Sequence, residues 1–174
     1  MSHFHQDNLK SKEQLLAYIN GFLWTLEMLN DYCDHGQTYY VQEIGRTSQI
    51  EKAIKDHLND GGYEITYAPT FDWRQRIGAS SRKFFTSWLG RLKYQFKTEG
   101  FSERKFEYAI ENTIEFEAII EQYMKLLELL IPEDSAVYEV FVDSYKGKFY
   151  ENDYNDYVVD NGLGRFFIHF GESD

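Results

Sequence analysis

With 174 residues, 43% of them hydrophobic and 18% aromatic, the chain can bury the core of one domain and is too apolar to be disordered. A formal net charge of −11 argues against broad nucleic-acid binding, because most of the surface would repel phosphate. Cys33 is the one cysteine, which excludes an internal disulfide; Met1–Asp7 is polar and no run approaches the ~20 apolar residues of a membrane span, so a soluble cytoplasmic protein is expected.

The first predicted element is a helix from about Lys12 to Cys33. Ser11 and Gln14 have capping-box spacing, and Leu15, Ile19, Phe22, Leu26, Leu29 and Cys33 recur at helical steps. Gly36 follows as a stop. A second helix is predicted from Gln49 to Asn59, with Ser48 and Glu51 as its capping pair, an apolar face of Ile50, Ala53, Ile54 and Leu58, and Gly61-Gly62 at its end. Whether Tyr39–Ile44 extends this helix backwards stays open, since Gly45 intervenes. Tyr63–Tyr67 alternates like a short strand until Pro69 breaks it. A helical hairpin comes next, Ser81–Thr98 and Glu103–Leu130, turning at Gly100-Phe101 and stopped by Pro132. Its second arm reads Phe106, Ile110, Ile114, Ala118, Met124 and Leu127 on the inner face. Val137–Val142 and Arg165–Phe170 are β-branched and aromatic runs that read as strands, joined by a long loop, Tyr145–Gly164. The expected fold is α+β: one helix-dominated domain over residues 1–174, with long antiparallel helices in 8–131. A small antiparallel sheet with its acidic, aromatic loop occupies 136–171.

Charge is unevenly spread. Residues 74–105 hold nine of the chain's 18 cations and only two of its 29 acids. The hairpin's second arm carries Glu107, Glu111 and Glu115 at four-residue steps, with Glu117 and Glu121 close by, and acids at that spacing repel unless cations face them. Two readings follow. Either the arms neutralise each other, with Arg91, Lys93 and Lys97 against the glutamates, or Arg74–Lys97 is a phosphate-contacting surface without any helix-turn-helix, zinc or RNA-binding signature.

No catalytic, cofactor or metal site is expected. A carboxylate-bridged metal centre needs Glu-x-x-His, and no Glu in the chain has a His three residues later. Neither a Gly-x-Ser-x-Gly elbow nor a glycine-rich phosphate loop occurs. Cys33 near His35 reads as a core cysteine before a helix cap, and His169 as a structural histidine in a strand. The most suggestive stretch is 149–160, with four acids, no base and three tyrosines. It lacks the Gly and Glu positions of a calcium loop. As a contact surface, its tyrosines would supply area and its carboxylates would meet a partner's Lys and Arg. The contact residues expected are Glu151, Asp153, Tyr154, Asp156, Tyr157 and Asp160.

Small size, strong acidity, this Asp/Glu/Tyr stretch and the lack of an active site resemble the bacterial immunity proteins of contact-dependent and polymorphic toxin systems. The resemblance is one of class, with no family motif matched. It implies an inhibitor, not an enzyme, that binds a basic protein toxin, a nuclease domain, and occludes its active site without cofactor or membrane. The alternatives are a nucleic-acid-associated protein using 74–105, and an enzyme without recognisable motifs.

Overall fold

A computed structural model describes residues 11–31, 36–46, 49–59, 63–85, 114–144 and 150–173. In chain order the elements are α1 (Lys12–Asp31), β1 (Gly36–Glu43), α2 (Ile50–His57), β2 (Tyr63–Pro69), α3 (Trp73–Phe85), α4 (Ile114–Leu130), β3 (Ala136–Ser144), β4 (Asp153–Asp160) and β5 (Arg165–Ser173). The five strands form one antiparallel sheet in the order β1-β5-β4-β3-β2.

This overturns the expectation of a helix-dominated body with a small C-terminal sheet. The sheet runs through the middle of the molecule, and its two edges come from the supposedly helical half. Tyr39–Ile44, left open from the sequence, falls largely in β1, where Tyr39 and Val41 point into the core. The expected long loop contains β4, a strand with neighbours on both sides. Asp and Asn disfavour strands intrinsically, and that preference hid β4. What overrides it is pairing: Asp156 lies directly across from His169, and Asp160 from Arg165.

Helices cover both faces. On one, α1, α3 and α4 pack Leu15, Ile19, Leu23 and Leu26, Ile77, Phe84 and Phe85, and Ile120, Tyr123 and Leu127 against Tyr39, Tyr157, Phe166, Ile168 and Phe170. Aromatic rings fill its centre: Phe22 stacks on Tyr123 at 5.9 Å, and Phe85 meets Tyr39, Tyr123 and Phe170 within 6 Å. On the other face, Ala53 and Ile54 of α2 join Ile65, Val140, Val142, Val158 and Phe167. The route of the chain explains the strand order, since α2 carries it across this face from the β1 edge to the β2 edge.

Local signals set the starts of α1 and α3; α2 begins after Gln49 without a side-chain cap, and Ser48, its expected cap, lies outside the described residues. The backbone N–H of Gln14 donates to Ser11 Oγ at 3.3 Å, as the capping-box spacing predicts. Helix α3 begins eight residues before the expected Ser81, because Asp72 is its cap, accepting from Gln75 N at 3.0 Å. Ala118, expected on the inner face of the hairpin, is exposed. The hairpin's turn and flanking residues 86–113 lie outside the described residues.

Candidate functional site

The six residues expected at one contact surface take separate places. Asp153, at the start of β4, ion-pairs with Lys83 of α3 at 2.6 Å. Tyr157 is buried beneath α3, its hydroxyl 2.8 Å from Ser80 Oγ. Asp160 receives Arg165 Nε at 2.9 Å across the β4–β5 hairpin. That hairpin turns on Asn161, whose Oδ1 accepts from Leu163 N and Gly164 N while Nδ2 donates to Leu130 O. Tyr154 donates to Val142 O at 2.8 Å and accepts from Val142 N at 2.9 Å, joining β4 to β3. Strand alternation sends odd and even residues of β4 to opposite faces of the sheet, so the stretch cannot present one surface.

Only Asp156 and Glu151 meet, around His169. Asp156 is fully buried and His169 is 2% exposed. His169 Nδ1 lies 2.7 Å from Asp156 Oδ1, and the Tyr150 hydroxyl donates to Asp156 Oδ2 at 2.7 Å. Glu151 Oε1 stands 3.8 Å from His169 Nε2 on the far side of the ring. Tyr40 stacks on the imidazole at 4.8 Å, and its hydroxyl reaches His57 Nε2 of α2 at 3.2 Å. Burial shapes the titration here. It raises the Glu151 carboxyl above its ordinary value, opposed by His169 and reinforced by Asp156. It lowers the His57 imidazole and pushes the Tyr40 and Tyr150 hydroxyls up, so both tyrosines act as neutral donors.

In this carboxylate–imidazole–carboxylate group His169 and Asp156 are sealed from solvent, while Glu151 is partly exposed. The group joins β1, β4, β5 and α2 and is a structural keystone. Sequence reading saw His169 only as a structural histidine and missed Tyr150, Tyr40 and His57. Register was the lacking signal, because Asp156, His169 and Tyr40 stand in one row across three strands.

A different set of acids faces outward. Glu64 of β2 is directly opposite Asp143 of β3, both exposed. Phe141, 43% exposed, lies opposite Thr66, and Glu139 opposite Ala68. Alternation puts all six on the same sheet face as Val137, beyond the part that α1, α3 and α4 cover. Like charges directly opposite across strands are destabilising. Among the described residues no cation lies within ion-pair distance of Glu64, Glu139 or Asp143.

Three of the four described cations of α3 are used differently, while the exposed Arg76 has no ion pair among the described residues. Arg74 pairs with Glu128 and Arg82 with Glu117, both on α4, and Lys83 pairs with Asp153. The hydrogen bond from Arg82 holds the Glu117 carboxyl below its ordinary value. Two of these contacts join α3 to α4 and the third joins it to β4; the neutralisation expected from the sequence names Arg91, Lys93 and Lys97, which with Glu107, Glu111 and the side chain of Glu115 lie outside the described residues.

Among the described residues no helix is long and apolar enough to cross a membrane, and no three His, Cys, Asp or Glu side chains are grouped to hold a metal ion. Comparison with family models, curated proteins and solved structures returns no match.

Proposed function

We propose that this chain is an immunity-type inhibitor that acts in the cytoplasm, binding a basic antibacterial toxin, a nuclease domain, and occluding its active site. The observation that carries the reading is the exposed Glu64–Asp143 pair with Phe141 beside it. Among the described residues no cation meets these two opposed carboxylates, and like charges so placed cost the fold stability, which supports an external use for them. Against a cationic nuclease cleft they stand where substrate phosphates would, and Phe141 supplies the apolar area that anchors a charged interface. The excess of 29 acids over 18 bases speeds encounter with such a partner and weakens as salt rises. The interface thus moves from the 151–160 segment to β2 and β3. Of the nine cations behind the nucleic-acid alternative, Arg74, Arg82 and Lys83 are each engaged by a carboxylate of this chain, which favours the inhibitor reading.

The test is co-expression with any basic domain found encoded beside this chain's gene, scored by growth and by formation of a 1:1 complex. The wild-type chain should restore growth. Glu64→Lys with Asp143→Lys should weaken the complex at least 100-fold while leaving the unfolding midpoint close to wild type. Full rescue by the double reversal would remove the β2–β3 surface, and no rescue by wild type would remove the inhibitor reading.

A further inference from the structure

The two edges of the sheet are chemically different. On β1 the side chain of Asn20, from α1, donates through Nδ2 to Val41 O and accepts through Oδ1 from Val41 N, each at 2.8 Å. That pair of bonds reproduces what a neighbouring strand would provide, so the middle of this edge is closed. Lys12 of α1 adds an ion pair to Glu43 at 2.7 Å. On β2 the described residues show no such cover over 64–69. Among the described residues, 64–69 make hydrogen bonds only to β3, and Glu64 and Thr66–Pro69 are exposed.

An open edge strand presents unpaired N–H and C=O groups at alternate residues and is a template for another strand. Natural edges are usually blunted. Here β2 is seven residues long, and its proline, Pro69, stands at the end where it does not interrupt the strand. Its charge decides which strand fits. Glu64 and, one strand behind, Asp143 and Glu139 line one face, with exposed Phe141 between them. On the other face Tyr67, half exposed, stands edge-on to Tyr138 at 5.6 Å. An incoming strand alternating cationic and apolar residues would set its cations against the carboxylates and its apolar side chains against Tyr67. A second copy of this chain fits poorly, since it brings Glu64 and a net charge of −11 to an acidic edge.

We infer that the β2 edge receives an extended, cationic segment of the partner protein as a sixth strand, with its Lys or Arg side chains on the Glu64–Asp143 face. This rests on the proposed function and specifies how the partner is held: main-chain hydrogen bonds supply affinity and the carboxylates supply selection.

The experiment is amide hydrogen exchange on the full chain with a ten-residue peptide alternating Lys and Val. Its Glu/Val counterpart and a Lys/Val peptide with alternate backbone N-methyl groups are the controls. The Lys/Val peptide should slow exchange of the outward amides in 64–68 at least tenfold and leave Val41 unchanged. The Glu/Val peptide should do nothing, and N-methylation should weaken binding at least tenfold. Asp143→Lys should weaken it as well. If the N-methylated peptide binds equally while Asp143→Lys still abolishes binding, strand addition fails and the acidic-surface reading survives. Absence of any protection at millimolar Lys/Val peptide refutes the sixth strand. So does slow exchange of these amides in the free chain, meaning that its own residues cover the edge, or protection that grows with protein concentration alone, meaning self-pairing.

Discussion

Asp156 is a surface contact by composition and a core residue by position. Its two oxygens are used by His169 and Tyr150, each at 2.7 Å, with no exposure to water. Asp156→Ala should therefore lower stability by about 3 kcal/mol, since removing one member of a buried polar pair strands the other; urea unfolding checks this, and a loss below about 1 kcal/mol would contradict the keystone role. Tyr123 offers the opposite case. Its hydroxyl is buried and, among the described residues, has no hydrogen-bond partner, and burial pushes its ionisation up. Tyr123→Phe should leave the ring packing intact and stabilise the fold by about 1 kcal/mol. At Asp143 two measurements should move in opposite directions. Lysine there faces Glu64, gaining about 0.5 kcal/mol of stability from the cross-strand pair, while affinity for a cationic partner falls.

At the level of elements, β4 and β5 depend on one close approach. A Cβ on Gly171 would lie 2.5 Å from His169 Nε2, so the imidazole rests where only glycine leaves room. Gly171→Ala should lower stability by about 2 kcal/mol through overpacking, with β4–β5 amide exchange accelerated along with that loss. Asn20 protects the other margin of the sheet. Asn20→Ala should lower stability by about 1 kcal/mol and make the chain associate in proportion to concentration, because Val41 then offers its N–H and C=O to a second chain. Helix α1 was legible because its buried Leu15, Ile19 and Leu26 follow the 3.6-residue period. β3 and β5 were legible through their β-branched and aromatic runs, and β2 through its alternation. β4 was not, because Asp153, Asn155, Asp156 and Asp160 carry turn propensity, and their stabilising partners are 70, 75, 13 and 5 residues away in the chain.

Across the whole molecule, pH should act through two groups of opposite sign. Burial lowers His57, so its contribution is present above about 6.5 and is lost as pH falls through its depressed folded value. His57→Gln, which keeps an acceptor for Tyr40, should flatten the loss of thermal stability between pH 6.5 and 5. Burial raises Glu151, so its contribution is present below about 4.5 and is lost as pH rises through its elevated folded value. Glu151→Gln should melt higher than wild type at pH 7.5 and converge with it toward pH 4; identical curves would mean that Glu151 is not desolvated by the fold. Composition and periodicity by themselves determined that this is one acidic, aromatic-rich chain with helices at α1, α2 and α4 and strands at β2, β3 and β5. Those features are local, set by spacing within a dozen residues. Only the tertiary structure decided which carboxylates are spent inside and which remain outside. That depends on strand order and register, which bring Asp156 to His169 and set Glu64 beside Asp143, and neither adjacency is written in any single segment of the chain.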